Sequence, residues 1–123
     1  MSDFDLIIVG TGVAGRTAAD EAVEAGVRTA LVDRREFGGT CALRGCEPKK
    51  VLVAAAEVVE RAQAQSGAGV AGSVALDWQR LVAFKRTFTD PMPASLEAYY
   101  GGEGVTLLHG VAPLDTSSRL YEA

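Results

Sequence analysis

Three glycines near the start of the chain, spaced Gly-x-Gly-x-x-Gly over residues 10–15, constrain the fold most. They follow an apolar run at residues 4–9, which we expect to be a strand buried on both faces. A helix-forming stretch at residues 13–25 follows, and then a second apolar run at 27–32 that ends at Asp33. Strand, helix and strand within about 30 residues predict a βαβ unit with parallel strands. The fold class is therefore α/β with a Rossmann-like sheet.

The three glycines also predict a dinucleotide site. Gly10 permits a tight turn, Gly12 lets the backbone approach a pyrophosphate, and Gly15 lets the helix pack closely on the strand. The first turn of the helix offers free amide donors to the phosphates. Asp33 lies 23 residues after Gly10, where a carboxylate accepts hydrogen bonds from an adenosine ribose. This pattern indicates FAD or NAD.

Two basic residues after this acid leave the nucleotide open. Arg34 and Arg35 could neutralise a 2′-phosphate, so NADP is an alternative. The Asp33 carboxylate would repel that phosphate, which favours an unphosphorylated ribose and two solvated arginines.

Composition excludes several classes of protein. The 123 residues include 16 acidic and 12 basic side chains, a balance that gives no clustered basic face for nucleic acid. The longest apolar run, Val51 to Ala56, is far shorter than the roughly 20 residues that cross a bilayer. Since the first positive charge is Arg16, no signal peptide is indicated either. We expect no membrane partner and a cytoplasmic location with reduced thiols.

The two cysteines lie in the segment 38–50, Gly-Gly-Thr-Cys-Ala-Leu-Arg-Gly-Cys-Glu-Pro-Lys-Lys. Positions i and i+5 of a regular helix point about 140° apart, so Cys41 and Cys46 can join only across a distorted helix. Gly45 and Pro48 supply that distortion. The segment offers too few ligands for a metal site, and a structural disulfide is unusual in a reducing compartment. A redox-active dithiol is the favoured interpretation.

Charges near the cysteines bear on their reactivity. Arg44, Lys49, Lys50 and a helix N-terminus near Cys41 would stabilise a thiolate, whereas Glu47 would oppose it.

The rest of the chain is predicted to add three helices and a strand. We expect helices at residues 49–65, 77–90 and 94–100 and a strand at 105–109. Residues 114–120 indicate a hairpin turn before a return strand that stops after four residues. A strand this short leaves a sheet edge unpaired, so we expect the chain to be the first part of a longer protein.

Several packing predictions follow from residue type. Helix 13–25 is expected to present one small-residue stripe, formed by Ala14, Ala18, Ala22 and Ala25. His109 is expected to be a partly buried strand residue rather than a catalytic one. Five aromatic side chains are expected to pack in the core or against a partner: Trp78, Phe84, Phe88, Tyr99 and Tyr100.

The three glycines of residues 10–15, called the fingerprint below, and the motif Gly-Gly-Thr-Cys-x4-Cys-x-Pro-x-Lys together resemble a known family. They are similar to the N-terminal FAD-binding segment of the class I pyridine nucleotide-disulfide oxidoreductases, the group that contains glutathione reductase, dihydrolipoamide dehydrogenase and mercuric reductase. The resemblance runs from Asp5 to about Leu120. It implies that residues 1–123 are an incomplete Rossmann-like FAD-binding domain, without the nicotinamide-binding and interface domains.

The resemblance also implies a reaction and the residues that serve it. NAD(P)H would reduce FAD, and the flavin would pass electrons through the dithiol to a small-molecule disulfide, in a homodimer. Cys46 would be the charge-transfer thiolate beside the flavin, and Cys41 would attack the substrate. The implied FAD contacts are Gly10, Gly12, Val13, Ala14, Gly15, Asp33, Arg34, Gly39, Thr40, Cys41, Lys49, Lys50, Val111 and Ala112.

Two positions depart from the family pattern, and other interpretations stay open. Asp33 stands where the family more often has Glu, and Glu47 replaces a usually apolar residue. The alternatives are a non-catalytic NAD or NADP module and a truncated, inactive fragment, and we expect the isolated chain to turn over little NAD(P)H. The substrate (glutathione, lipoamide, mercuric ion or a mycothiol-like disulfide) and the choice between NADH and NADPH are left open.

Overall fold

Three parallel strands form the framework of the protein. A computed structural model describes residues 3–113, with β1 at Leu6–Val9, β2 at Thr29–Asp33 and β3 at Thr106–His109. The open sheet has the order β1-β2-β3, and its register pairs Ile8 with Leu31. The α/β prediction with a parallel, Rossmann-like sheet is confirmed.

Among the residues that the structure describes, five helices connect and flank the strands. They are α1 at Val13–Glu24, α2 at Gly39–Arg44, α3 at Cys46–Ala64, α4 at Trp78–Thr89 and α5 at Met92–Gly102. Local signals explain several of their ends. Gly26 follows α1 in the left-handed region, with φ of 68°. The Asp77 carboxylate caps α4 by accepting a 3.0 Å hydrogen bond from the Arg80 amide.

One helix boundary differs by a whole turn from the prediction. We expected a helix from residue 49, whereas α3 begins at Cys46 and includes Pro48 in its first turn. Proline is tolerated there because the amides of the first turn have no partner within the helix. Glu57 and Arg61 form an ion pair one turn apart on α3, with 3.7 Å between the charged groups.

The core lies between the sheet, α1 and α5. Its buried cluster consists of Ala19, Leu31, Phe37, Tyr100 and Val105. The Tyr100 hydroxyl donates a 2.9 Å hydrogen bond to Asp20 Oδ1, so the buried phenol is paired. Burial and the neighbouring Asp20 carboxylate both raise the pKa of Tyr100.

The predicted small-residue face of α1 is wrong for most of its members. Ala14, Ala18 and Ala25 are exposed, and the helix instead buries Ala19 and Ala22. The cause is Gly15, since a Cβ there would overlap the carbonyl oxygen of Gly10. Close packing at Gly15 fixes the rotation of α1, and the residues four and seven positions later then face the sheet.

β1 is not buried on both faces as expected. Leu6, Ile7 and Val9 are 38%, 57% and 61% exposed. β1 is an edge strand of the described sheet, and α1 is the only helix among residues 3–113 with substantial packing against it.

The five aromatic residues that were expected to pack in the core or against a partner divide into one buried and four exposed side chains. Tyr100 is in the core as expected, whereas Trp78, Phe84, Phe88 and Tyr99 are all more than half exposed. Within the described residues, α4 packs mainly on α3, through half-buried residues such as Leu81 and Val82. Phe84 and Phe88 lie on its open side, where they stack edge to face with 5.0 Å between ring centroids. The predicted hairpin at 114–120 and its return strand lie outside the described residues.

Candidate dinucleotide and dithiol site

The carboxyl ends of the three strands meet at one edge of the sheet. Gly10 follows β1, and its amide donates a 2.7 Å hydrogen bond to the Val32 carbonyl of β2. Gly110 follows β3, and its amide donates a 2.8 Å hydrogen bond to the Asp33 carbonyl. These bonds hold the three strand ends together at the edge where open α/β sheets bind ligands.

The fingerprint glycines are placed as a phosphate cradle requires. Gly10 has φ of 104°, a left-handed conformation that favours glycine. Gly12 has no atom within 4 Å of the position of a Cβ, so its surface is open to a ligand. Gly12 is also the N-cap of α1 and offers no side-chain cap. Since Val13 and Ala14 are exposed beside it, the first turn of α1 is free to donate to an anion.

Asp33 lies at the end of β2 and is held by three hydrogen bonds. Its Oδ2 accepts from the amide and the hydroxyl of Thr11, at 2.8 and 2.6 Å, and its Oδ1 accepts from the Arg35 amide at 3.0 Å. Burial raises the pKa of the Asp33 carboxyl, but hydrogen bonds from Thr11, Arg35 and Arg34 outweigh it and leave the pKa lowered. Asp33 is therefore an oriented carboxylate.

A cavity of about 230 Å³ opens beside Asp33. It brings together predicted cofactor residues from the three strand ends, namely Gly10, Asp33, Arg34, Val111 and Ala112. Arg34 is exposed at its margin. A carboxylate at the end of the second strand is the type of group that accepts hydrogen bonds from ribose hydroxyls in dinucleotide-binding folds.

The two cysteines lie on either side of a break between α2 and α3. Cys41 is within α2, and Cys46 is the first residue of α3. Gly45 has φ of −124° and ψ of −113°, so it interrupts the helix as predicted. A Cβ on Gly45 would be 2.9 Å from the Thr40 carbonyl oxygen, so no larger residue fits at the break. Cys41 and Cys46 therefore flank this break, and both are free thiols.

The prediction of a stabilised thiolate differs from the structure at Cys41. The pKa of this thiol is raised, first by its hydrogen bond to Cys46, then by burial and by the negative charges of Cys46 and Glu47. Arg44 is engaged elsewhere, since its guanidinium forms a 2.8 Å ion pair with Glu36. Lys49 and Lys50 are exposed on α3. Within residues 3–113, neither lysine forms a hydrogen bond or ion pair with the fingerprint.

The dithiol segment packs directly on the fingerprint. Gly39 has φ of 68°, and a Cβ there would be 2.5 Å from Gly12 Cα. The Gly38 amide donates a 3.0 Å hydrogen bond to the Thr11 hydroxyl. The two predicted sites, dinucleotide cradle and dithiol, therefore form one continuous surface, with exposed Thr40 and half-buried Cys41 next to this contact.

Sequence reasoning missed Thr11, which occupies a variable position of the fingerprint. It is 1% exposed and joins the cradle, Asp33 and the dithiol segment. The available signal was a hydroxyl residue between two fingerprint glycines, with an acid 22 residues later.

Comparison with known proteins identifies the family of the chain. Residues 4–119 match the model of the pyridine nucleotide-disulphide oxidoreductase family, and the chain belongs to that family. It is 33% identical over 118 residues to dihydrolipoyl dehydrogenase of Chlamydia muridarum, which is 95% of this chain and 25% of the relative. It is 35% identical over 119 residues to dihydrolipoyl dehydrogenase of Chlamydia trachomatis, again 95% of this chain and 25% of the relative.

A more distant organism gives a similar match. The dihydrolipoyl dehydrogenase of Thermus scotoductus is 33% identical over 112 residues, which cover 91% of this chain and 24% of the relative. The chain thus spans about a quarter of the length of these relatives. Among the helices at residues 3–113, none has the length and apolar character needed to cross a membrane.

Proposed function

We propose that this chain is the N-terminal portion of an FAD-binding domain whose Cys41–Cys46 dithiol exchanges electrons with a small-molecule disulfide. In the whole protein NAD(P)H is the nicotinamide partner, and the assembly is a homodimer. The observation that carries the proposal is the placement of Cys41 and Cys46 on either side of the Gly45 break, in a segment whose Gly39 packs against Gly12 of the glycine cradle.

FAD fits the residues of the cradle. Gly10, Gly12 and the first turn of α1 would hold the pyrophosphate, and Asp33 would accept from the ribose. The cavity beside Ala112 would take the adenine. When bound, FAD supplies two-electron exchange between a nicotinamide and the dithiol. Lys49 and Lys50 would approach the flavin end by movement of their exposed side chains.

The dithiol chemistry follows thiol–disulfide exchange. A Cys41 thiolate attacks one sulfur of the substrate disulfide, a mixed disulfide forms, and the first product leaves as a thiolate. A Cys46 thiolate then attacks the Cys41 sulfur, which closes the Cys41–Cys46 disulfide and releases the second product. The two cysteines lose two electrons and the substrate gains two, while the two cysteine protons pass to the product thiolates.

The raised pKa of Cys41 gives this step a pH dependence. Only the deprotonated sulfur attacks, so exchange through Cys41 speeds up as the pH rises towards that pKa. Cys46 is the more exposed thiol in the structure, and a flavin bound next to it would cover that exposed sulfur.

The names of the relatives support one substrate class for this proposal. Three of them are named dihydrolipoyl dehydrogenase, so a small dithiol–disulfide pair of the dihydrolipoyl type is the substrate that we propose first. With a dihydrolipoyl substrate the same exchange runs in reverse, and the cysteine disulfide is reduced while the substrate dithiol is oxidised.

The decisive experiment combines flavin binding with thiol titration. The purified chain is mixed with FAD, flavin fluorescence is followed, and free thiols are counted before and after mild oxidation. We expect flavin binding and the loss of both thiols of each chain without an intermolecular crosslink. The matched variants Cys41→Ser and Cys46→Ser should each keep flavin binding and lose the intramolecular disulfide. A chain that binds no flavin and keeps both thiols under oxidant would overturn the proposal.

A further inference from the structure

One buried hydroxyl joins three segments that are far apart in the sequence. Thr11 is 1% exposed and lies between the turn after β1, the end of β2 and the start of α2. Its hydroxyl donates a 2.6 Å hydrogen bond to Asp33 Oδ2 and accepts a 3.0 Å hydrogen bond from the Gly38 amide. These partners are 22 and 27 residues away along the chain.

The direction of each bond is fixed by chemistry. An ionised carboxylate only accepts, and a backbone amide only donates, so the hydroxyl must donate to Asp33 and accept from Gly38. The lowered pKa of Asp33 keeps this carboxylate in the accepting form at neutral pH. At position 11, only serine could both donate to Asp33 and accept from the Gly38 amide with little change of side-chain shape.

The Gly38 amide has a position that matters for the dithiol. Gly38 is the residue immediately before α2, and Cys41 lies three residues after Gly38. Gly38 is buried, so removal of the Thr11 hydroxyl would leave its amide without a hydrogen-bond partner from the protein or from solvent. The neighbouring contact of Gly39 with Gly12 excludes side chains but supplies no hydrogen bond of its own. The Thr11 hydroxyl is therefore the directional link between the two segments.

We propose that Thr11 is a positioning residue, whose hydroxyl holds the dithiol segment in register with the carboxylate that binds the ribose. The inference deepens the proposed function and rests on it for the identity of the bound dinucleotide. Its consequence is that one end of the cofactor site and the cysteine that exchanges electrons share a hydrogen-bonded support. Loss of the hydroxyl should loosen the dithiol segment while the sheet stays intact.

The test compares Thr11→Val, which keeps the shape and removes the hydroxyl, with Thr11→Ser, which keeps the hydroxyl. Two properties are measured without any cofactor: hydrogen exchange of the Gly38 amide by NMR, and the rate at which iodoacetamide alkylates Cys41 and Cys46. We expect Thr11→Val to exchange the Gly38 amide about tenfold faster and to alter the alkylation rates, with β2 amides still protected. Thr11→Ser should restore the original values.

The same variants are then titrated with FAD. We expect the original chain and Thr11→Ser to bind FAD and to protect Cys46 from alkylation, and Thr11→Val to bind about tenfold more weakly with less protection. If the original chain binds no FAD while the cofactor-free results hold, the proposed function fails and the link through Thr11 stands.

Other outcomes overturn the inference itself. Unchanged Gly38 exchange and alkylation in Thr11→Val would show that the hydroxyl does not hold the segment. If Thr11→Val does not fold, Thr11→Ala removes the same hydroxyl and is measured in its place. Should both unfold while Thr11→Ser folds, the hydroxyl supports the whole domain, and a role specific to the dithiol segment is overturned.

Discussion

The sheet half of the chain and the helical half are held together in different ways. The sheet half, β1 to β3 with α1 and α5, contributes most of the buried core cluster around Leu31 and Tyr100. The helical half, α3 with α4, buries only Pro48 and Thr89 among its described residues. The dithiol lies at the boundary, since Cys46 begins α3 and Cys41 belongs to the α2 segment that packs on the fingerprint.

This difference indicates which half sets the geometry of the site. Gly12, Gly39, Thr11 and Asp33 fit together by backbone contact and buried hydrogen bonds. The helical half presents exposed aromatic residues and reaches the site mainly through the first turn of α3. We therefore expect changes in the sheet half to alter both stability and site, and changes in the helical half beyond the first turn of α3 to leave both nearly unchanged.

The largest effect is expected at Gly15. In Gly15→Ala the new Cβ would overlap the Gly10 carbonyl oxygen, so α1 must move off β1 and the free energy of unfolding should fall by about 4 kcal/mol or more. Urea denaturation followed by circular dichroism measures this. The matched control is Gly12→Ala, which has open space and should change stability by less than about 1 kcal/mol while weakening FAD binding. Equal destabilisation of both variants would contradict the assigned roles.

Truncation of a core residue tests the comparison between halves directly. Leu31 is 0% exposed, so Leu31→Ala should lower the free energy of unfolding by about 3 kcal/mol through lost burial and a cavity. Val58 on α3 is 61% exposed, and Val58→Ala should change the free energy of unfolding by no more than about 0.5 kcal/mol. Urea denaturation followed by circular dichroism measures both changes in the free energy of unfolding. A costly Val58→Ala would mean that the helical half has a packed partner face.

A smaller effect is expected at the buried phenol. Tyr100→Phe removes the hydrogen bond to Asp20 but keeps the ring, so the free energy of unfolding should fall by about 1 kcal/mol. Tyr99→Phe is the control, since Tyr99 is half exposed and should tolerate the same change within about 0.5 kcal/mol. Equal melting temperatures of Tyr100→Phe and Tyr99→Phe would contradict a stabilising role of the buried hydrogen bond.

The smallest effect is electrostatic. Glu47 places a negative charge near the thiol pair and contributes to the raised pKa of Cys41. A negative neighbour disfavours the thiolate, so Glu47→Gln should lower that pKa and move the alkylation profile of Cys41 to lower pH. Mass spectrometry of the Cys41 peptide after iodoacetamide pulses gives the profile. The control Glu57→Gln, further along α3 and paired with Arg61, should leave it in place. A shift of the Cys41 alkylation profile towards higher pH in Glu47→Gln would contradict the expected effect of the Glu47 charge on the pKa of Cys41.

Local signals made half of the structure predictable. The β1–α1–β2 unit follows from the residue pattern within each element, and the cap at Asp77 and the break at Gly45 depend on residues within one or two turns. Glycine spacing, a capping carboxylate and a side-chain-free break act through the backbone nearby, so the sequence alone contains their physics. The α/β class follows from them.

The rest depended on contacts between distant segments. The rotation of α1 is set by Gly15 against Gly10, and the Thr11 hydroxyl meets partners from two other segments. Residue type alone could not distinguish the exposed Ala18 from the buried Ala19. The exposed aromatic residues of α4 show the same limit, because helical spacing predicts a face without saying what covers it.

The close approach of Gly39 to Gly12 bears on protein engineering. A Cβ on Gly39 would be only 2.5 Å from the Gly12 Cα, so position 39 must be glycine as long as it lies against this turn. The segment that carries the two cysteines could be grafted onto a foreign scaffold only if the recipient turn offered Gly39 the same backbone surface to lie against. Transplants should therefore carry both turns as a single unit.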